Sequence, residues 1–333
     1  MRLAARFRRL VRGPRVRPAV LMYHRIAEPA VDPWGLSVSP ANFRSQLETL
    51  KRRRSPMSMD RFARLMRERR LPNDAVALTF DDGYLDNLLA AKPLLEAEGV
   101  PASVLVTTGW LDSPELFWWD ELTRLVLLRR EAFTGSLTIG ADTMTFTVGP
   151  ADEWEPRRTW RSWDPPRSER EKLYVNLWTR LQRLGEAERQ AHVRDLAAQV
   201  GAPAGDGETE KDRVMTREEL ARLPSAMVDV GVHAVTHQPL TSMPAAQRRE
   251  ELQDSRAVLE AATGKPMTGF AYPHGDLDEE TRDIVGELGF AWAVTTESRA
   301  VDSGRDHLLA IPRVMAPDLR GPQLLDHIAQ ECG

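Results

Sequence analysis

The chain has 333 residues, 42% of them hydrophobic, so it can bury one large core and form a single α/β domain with insertions. A formal net charge of −4 gives no electrostatic reason to expect nucleic acid as a partner, and a small or neutral substrate fits better. Cys332 is the only cysteine, which excludes an internal disulfide and a cysteine metal site, so a bound metal would need histidine and carboxylate ligands.

A basic arm, residues 1–17, precedes the predicted catalytic domain at residues 18–333. Its arginines interrupt any continuous apolar segment of the kind that a secretory signal contains, and no stretch of the chain is apolar enough to span a membrane. We therefore expect a cytoplasmic protein. The apolar face of the arm could rest on an anionic membrane surface, which would make the protein peripheral to a membrane, or the arm could be a solvated terminus.

Strands and helices alternate along both halves of the chain. Short apolar runs predict the strands, and runs with helical spacing and cap residues predict the helices between them. The predicted strands are residues 18–22, 75–80, 102–107, 227–232, 268–272 and 291–295. One predicted helix begins after Ser39, and the others cover residues 57–70, 85–98, 244–262 and 278–288. This alternation favours a parallel sheet with helices outside, either open or closed into a barrel.

The middle of the chain, about residues 110–212, is predicted to be an insertion. It comprises a hairpin with strands at 136–139 and 143–148, two amphipathic helices at 169–184 and 186–200, and a flexible joint at 201–212. Its aromatic residues could stack on sugar rings or pack the insertion onto the rest of the domain. These are Phe117, Trp118, Trp119, Trp154, Trp160 and Trp163.

Two adjacent carboxylates follow a predicted buried strand, in the run TFDDG at residues 79–83. Catalytic groups collect at the carboxyl ends of strands in α/β folds, because the strand is rigid and the loop is free to vary. Adjacent charges repel each other, and a metal on one with a proton-accepting role for the other would remove that conflict. The alternative for Asp81 and Asp82 is a turn with an aspartate helix cap.

Two histidines four residues apart, His233 and His237, follow another predicted strand in the run HAVTH. On a helical turn this spacing places both imidazoles on one side, where each could bind zinc at about 2.0 to 2.1 Å. With a carboxylate from another strand end they would supply three protein ligands. The fourth position would then be open for water, as in catalytic zinc sites.

A third predicted strand ends in the run FAYPHG, residues 270–275. A turn there could direct a backbone N–H toward a developing oxyanion. The alternative is an ordinary strand-to-loop turn. In this order, TFDDG, HAVTH and FAYPHG resemble the motifs of the polysaccharide deacetylase family with the NodB homology domain, also called carbohydrate esterase family 4. FAYPHG is similar to the motif of the FAYPYG-type subgroup. The resemblance covers residues 18–107 and 213–315 and implies a distorted (β/α)7 barrel, an α/β fold, into which a β-hairpin and helices are inserted.

The resemblance also implies a role for each matched residue. Asp81 matches the catalytic base of the family, and Asp82, His233 and His237 match its metal ligands. The backbone amide of His274 falls where the family has a tyrosine amide in the oxyanion hole. Because a backbone group does that work, a histidine side chain at this position need not abolish it.

The chain departs from the family at two points. Many members have an arginine that orients the catalytic aspartate, and this chain has Ala271 at that position. The FAYPYG-type subgroup also has alanine there. The late Leu-x-His segment that supplies the general acid has no clear match, and spacing does not decide between His307 and Arg313. His24 resembles the histidine of members that begin MYH, and it either lines the pocket or is a core histidine. The candidate pocket residues are His24, Tyr272, Pro273 and Arg313.

These features predict a hydrolase that removes the acetyl group from an N-acetylated amino sugar in a glycan, a glycan precursor or a glycoside. The expected cofactor is a divalent metal, zinc in the first place, with cobalt, nickel and manganese as alternatives. The expected partner is the acetylated sugar, and no nucleic acid. Two other functions stay open, namely hydrolysis of a non-sugar C–N amide bond and sugar binding without catalysis.

Overall fold

The computed structural model describes residues 16–150, 159–202 and 212–332. The predicted arm up to residue 15, Trp154 and residues 203–211 of the predicted joint lie outside the described residues. No helix within the described ranges is long and apolar enough to cross a membrane.

A curled parallel sheet forms the centre of the fold. In chain order the strands are β1 (Ala19–Tyr23), β2 (Ser55–Pro56), β3 (Ala75–Phe80), β4 (Ala102–Val106), β5 (Phe133–Ile139), β6 (Asp142–Val148), β7 (Val228–Val232), β8 (Gly269–Ala271), β9 (Trp292–Val294) and β10 (Val314–Met315). Across the part of the chain that the structure describes, the sheet order is β10-β1-β3-β4-β7-β8-β9, and β2 pairs with β3. Every pair in this sheet is parallel.

The two edges of the sheet meet through one short segment near the end of the chain. Ile311 bridges Val294 of β9, and three residues later Val314 pairs with Leu21 of β1. This segment therefore joins the last strand in the order to the first. The seven strands of the sheet path among the described residues confirm the predicted distorted (β/α)7 barrel.

Helices cover the outside of the sheet, because its central strands are apolar on both faces and must be shielded from water. All residues of β1, β3 and β4 are buried. The helices are α1 (Pro40–Arg53), α2 (Met59–Arg67), α3 (Lys92–Glu98), α4 (Trp118–Leu122), α5 (Glu169–Leu181), α6 (Glu186–Gln199), α7 (Arg217–Ala221), α8 (Ala245–Thr263), α9 (Glu279–Glu287) and α10 (Gly321–Glu331). As predicted, Ser39 caps α1 by accepting from the Asn42 amide, and Gly99 ends α3 with a φ of 63°.

The insertion contains the predicted hairpin, β5 paired with β6, and the two predicted amphipathic helices, α5 and α6. Most of its aromatic side chains pack inward rather than toward solvent. Phe117, Trp118, Trp119 and Trp160 are buried, which agrees with packing, whereas the Trp163 side chain is 65% exposed. The insertion therefore has a core that is continuous with that of the barrel.

Several elements differ from the sequence prediction, and among them the short strand β2 and the short helix α4 were not predicted. The helix predicted at residues 85–98 begins as a π-helical turn at Asn87–Ala91 before α3. Neither β10 nor α10 was predicted. The two residues of β10 are too few to form a hydrophobic pattern, and the sheet edge alone defines them.

Candidate active site

The three sequence motifs converge at the carboxyl edge of the parallel sheet. Asp81 and Asp82 follow β3, His233 follows β7, and His274 follows β8. The backbone is unusual here. Asp82, Ala234, His237 and His274 are four of the six non-glycine residues with positive φ in the described ranges. Such backbone is unfavourable by itself and persists where surrounding contacts hold it, which is typical of functional sites.

Asp82, His233 and His237 form a cluster with the geometry of a metal site. Their ligand atoms lie within 4.8 Å of one another. The Asp82 Oδ1 atom is 3.6 Å from Nε2 of His233 and 3.4 Å from Nε2 of His237. A tetrahedral ion with ligand bonds of about 2.0 to 2.2 Å would place its ligand atoms about 3.3 to 3.6 Å apart. The observed separations therefore fit such an ion.

The hydrogen bonding of the cluster also fits a cation. The Nδ1 atom of His233 lies 2.8 Å from the Ala271 carbonyl, which can only accept, so the neutral ring presents the lone pair of Nε2 to the cluster. The Asp82 Oδ1 and His237 Nδ1 atoms are buried without a hydrogen-bond partner among the described residues. A buried acceptor without a donor is costly, and a cation beside Asp82 Oδ1 would satisfy it.

The pKa shifts of the three residues also favour a bound cation. Burial, together with the charges of Asp81 and Asp120, raises the pKa of Asp82 well above its usual value. Burial lowers the pKa of His233 and, more strongly, of His237. Neutral imidazoles cannot neutralise the Asp82 carboxylate, so the two short contacts are not ion pairs. The site consequently favours a bound positive charge.

Asp81 has a different partner, Arg313, which comes from the segment that joins the two edges of the sheet. The guanidinium Nη1 and Nη2 atoms each lie 2.7 Å from one carboxylate oxygen of Asp81. Arg313 is fully buried and also donates to the Thr295 carbonyl at 2.8 Å and the Thr79 hydroxyl at 3.0 Å. Burial alone would raise the pKa of Asp81, but Arg313 and His233 outweigh it and lower that pKa to about 2.

This ion pair corrects one sequence-based candidate. Arg313 was considered as a general acid and as a pocket residue, but its side chain donates to the Asp81 carboxylate, the Thr79 hydroxyl and the Thr295 carbonyl. A guanidinium is also too weak an acid to donate a proton at neutral pH. Arg313 therefore supplies the orienting cation that Ala271 cannot.

The loop with the two histidines is not the helical turn that their spacing suggested. Ala234 and His237 have φ values of 63° and 55°, which lie outside the right-handed helical region. The buried Glu251 of α8 holds the loop instead. Its carboxylate accepts from the Val235 amide at 2.8 Å, the Thr236 amide at 2.9 Å and the Thr236 hydroxyl at 2.8 Å.

The turn after β8 brings His274 to the same edge. The turn spans Pro273–Gly275, and the His274 ring packs edge-on against His237 with centroids 4.5 Å apart. Gly275 has a φ of 71°, and a Cβ atom there would lie 2.0 Å from the Thr296 hydroxyl, so only glycine fits. Thr296 in turn donates to the His274 carbonyl at 3.2 Å. The turn is thus fixed on both sides.

The other sequence candidates divide between the site and the core. His24 follows β1, its Nδ1 atom is buried without a partner among the described residues, and burial lowers its pKa to about 4 despite the nearby Asp81 charge. Pro273 is buried. Tyr272 is also buried and donates to the Leu309 carbonyl at 2.8 Å, so its hydroxyl serves the core.

His307 is not part of this site. It lines a separate cavity together with Met66 and Phe290. Met66 lies near the end of α2, the helix that precedes β3, and Phe290 precedes β9. These neighbours lie at the amino ends of the strands, opposite the cluster. The position of His307 therefore excludes it as the general acid for chemistry at the carboxyl edge.

Comparisons with known proteins agree with this architecture. The sequence matches the family described as polysaccharide deacetylase over residues 68–293, which include the insertion. YxkH of Bacillus subtilis, which carries the name of a polysaccharide deacetylase, is 27% identical over 109 residues, and the match covers 32% of this chain and 38% of YxkH.

Solved structures show the same fold at low sequence identity. The Streptococcus pyogenes deacetylase PplD in complex with acetate has a TM-score of 0.58 and 18% identity over 95% of this chain and 99% of that one. A de-N-acetylase from Aggregatibacter actinomycetemcomitans has a TM-score of 0.53 and 13% identity over 93% and 99% of the two chains. Since the family match spans more than half of the sequence, the chain belongs to the polysaccharide deacetylase family.

Proposed function

We propose that this protein is a metal-dependent N-deacetylase that hydrolyses the acetamide of an N-acetylated amino sugar to a free amine and acetate. One observation carries the proposal. A buried carboxylate oxygen without a hydrogen-bond partner faces two neutral imidazoles at 3.4 and 3.6 Å, and a second carboxylate, held by a buried arginine, is adjacent in sequence. The family match supports the same chemistry, as do the names of relatives that are a deacetylase bound to acetate and a de-N-acetylase.

The metal would be held by Asp82, His233 and His237. Nitrogen and carboxylate ligands without cysteine suit zinc, and cobalt, nickel and manganese accept the same donors. When bound, such an ion polarises a carbonyl oxygen and lowers the pKa of water. Three protein ligands leave room for water or substrate, as catalysis requires.

Asp81 is the proposed proton acceptor. The bidentate pair with Arg313 fixes the position of its carboxylate and keeps it ionised, because the pKa is lowered to about 2. A low pKa weakens a base but ensures that it carries no proton when water has to be deprotonated. Correct placement of the carboxylate then contributes more than its basicity.

The backbone amide of His274 is the proposed donor to the oxyanion, and its left-handed conformation is held by the turn around it. Protonation of the departing amine needs another group. His24 is the remaining candidate from the sequence that lies near Asp81, Arg313 and His274, whose charges all affect its pKa. Burial lowers the pKa of His24 to about 4, so its ring is neutral near pH 7 and has no acidic proton to donate, and we propose His24 only as a residue that lines the pocket.

The proposal includes placement in the FAYPYG-type subgroup. Ala271 cannot orient the base, and Arg313, which immediately precedes β10, makes this contact instead. The cytoplasmic location and peripheral membrane contact stay predictions. If the protein is cytoplasmic, a glycan precursor or glycoside would be the substrate rather than mature cell wall.

The test is acetate release from a panel of acetylated sugars, sugar nucleotides and non-sugar amides, with zinc restored to chelated protein. We expect turnover of an acetylated sugar that disappears on chelation and returns with zinc. Asp81→Asn should keep zinc binding and lose turnover by about 10²- to 10⁴-fold, whereas His237→Ala should lose both. Wild-type turnover in Asp81→Asn would show that another group is the base.

The same panel separates the two rival functions. Release of an acid only from non-sugar amides would favour a different C–N hydrolase. Zinc-dependent binding of an acetylated sugar without acetate release would indicate a sugar-binding protein. The Asp81–Arg313 pair argues against the second rival, because a binding protein has no need for an oriented buried carboxylate beside a metal site.

A further inference from the structure

The two histidine ligands of the proposed metal site are held in different ways. His233 is oriented by a hydrogen bond from Nδ1 to the Ala271 carbonyl. The Nδ1 atom of His237 is buried and has no such partner among the described residues. Metal-binding histidines are usually oriented by a hydrogen bond at the second ring nitrogen. Something else must therefore fix the His237 ring.

Aromatic rings surround His237 instead. The Trp119 ring centroid lies 5.0 Å away, and the His274 centroid 4.5 Å away. Phe117 lies farther out, at 6.3 Å. Trp119 and Phe117 belong to the insertion, so the insertion forms part of the wall of the site.

Trp119 is itself firmly held. Its ring stacks on Phe117 with a centroid distance of 4.4 Å and an interplanar angle of 10°. Its Nε1 atom donates to the Tyr84 hydroxyl at 2.9 Å, and that hydroxyl donates to the half-buried Asp120 at 2.7 Å. Tyr84 is two residues after Asp82. The short helix α4 is thus tied to the segment that carries the first metal ligand and packs against the last.

The start of the insertion also contacts the histidine loop through its backbone. The Thr108 amide donates to the Ala234 carbonyl at 3.1 Å, and the Gly109 amide donates to the Val235 carbonyl at 2.9 Å. A Cβ atom on Gly109 would lie 2.6 Å from the Val235 oxygen, so glycine permits this close approach. The backbone contacts fix the loop, and Trp119 is left to fix the ring.

We propose that Trp119 is a positioning residue for His237, so that the insertion helps to form the metal site of the barrel. This inference rests on the proposed function, because it requires Asp82, His233 and His237 to bind a cation. Removal of the indole frees the His237 ring to rotate away from the other two ligands. Metal affinity then falls although every ligand is still present.

The experiment compares zinc dissociation constants of the full chain, measured by competition with a chromophoric chelator. Trp119→Leu should weaken zinc binding about 10- to 100-fold. Tyr84→Phe, which removes only the hydroxyl that accepts from the indole, should weaken it several-fold. Trp160→Leu is the matched control, because Trp160 is equally buried in the insertion but packs on Tyr174, and its zinc affinity should stay within threefold of wild type.

The outcomes are distinct. A wild-type dissociation constant in folded Trp119→Leu would overturn the positioning role and leave the proposed function intact. If Trp119→Leu does not fold, wild-type affinity in Tyr84→Phe would overturn it in the same way. Equal weakening in Trp119→Leu and Trp160→Leu would also overturn it, because the effect would then reflect general loss of packing. A wild-type chain that binds no divalent metal would refute the metal site itself.

Discussion

Arg313 and Asp81 form a buried ion pair that joins residues 232 positions apart in sequence. Neither charge is exposed to solvent, so each depends on the other for its stabilisation. The pair also sets the position of the carboxylate next to Asp82, the proposed metal ligand. Structural stability and the geometry of the base therefore depend on the same contact.

Replacement of Arg313 by methionine should affect both properties. We expect turnover to fall by about 10²-fold, since displacement of a catalytic group by about 1 Å has an effect of this size. The free energy of unfolding should fall by about 3 to 5 kcal/mol, because the buried Asp81 carboxylate loses its partner. Acetate release and urea unfolding measure the two effects.

Two variants serve as controls for this prediction. Arg313→Lys keeps the charge but not the two parallel hydrogen bonds, so it should recover part of the stability and less of the turnover. Arg70→Met removes an ion pair with Glu68 in which both side chains are exposed, and it should change stability by about 1 kcal/mol or less. Wild-type turnover in Arg313→Met would contradict the orienting role.

The sequence was sufficient to find the three residues of the candidate metal site but not the partner of Asp81. Asp82, His233 and His237 each stand at the end of an apolar run, and parallel strands bring their carboxyl ends to one edge. Arg313 stands in a segment too short to be recognised as a strand. The one available signal was an arginine within the apolar run IPRVM, where a buried charge requires a partner.

At the scale of elements, α8 contributes to the site through Glu251. This carboxylate accepts three hydrogen bonds from Val235 and Thr236 and holds a loop in which two residues have positive φ. No sequence pattern pointed to Glu251, because its partners are backbone amides, which any loop sequence offers. The wrong prediction of a helical turn for HAVTH has the same origin, since the histidine spacing alone does not define the backbone.

We predict that Glu251→Gln weakens zinc binding about tenfold without removing a ligand. Both loop amides donate to the same carboxylate oxygen, so a glutamine oxygen can still accept from them, but the negative charge that strengthens these hydrogen bonds is lost, and the second oxygen becomes an NH2 group beside the Thr236 hydroxyl. Competition with a chelator measures the dissociation constant. Glu250→Gln is the matched control, because Glu250 is exposed on the same helix. Equal affinities in the two variants would show that Glu251 does not maintain the loop.

At the scale of the whole molecule, the curled sheet brings together three candidate metal ligands, although Asp82 and His237 are 155 residues apart in the chain. The alternation of strands and helices predicted a parallel sheet with helices outside, the family resemblance predicted its barrel form, and most strand limits agree within two residues. The closing segment at Ile311–Met315 could not be predicted, because its two edge contacts involve only single residues or pairs. The complete site exists only in the folded chain.

A metal site of this kind should oppose folding when it is empty. The pKa of Asp82 in the folded protein lies well above its ordinary value of 3.8, mainly because of burial. Its charged form is therefore unfavourable in the folded state. The resulting loss of folding stability is absent below pH 3.8, grows as the pH rises toward the folded-state pKa of Asp82, and is complete above that pKa. At a pH above that pKa, Asp82→Asn should make the metal-free protein at least as stable as wild type.

Bound zinc should make wild type more stable than Asp82→Asn. Because zinc binds the assembled site of the folded chain, a free concentration of 100 times the dissociation constant should stabilise wild type by about 2.7 kcal/mol. Asp82→Asn should show almost no such gain, and Asp254→Asn, at an exposed position, should behave as wild type with and without zinc. Urea unfolding with chelator and with zinc measures both effects. If metal-free Asp82→Asn proved less stable than wild type, the Asp82 carboxylate would be stabilising without a cation, contrary to the charge balance of the cluster.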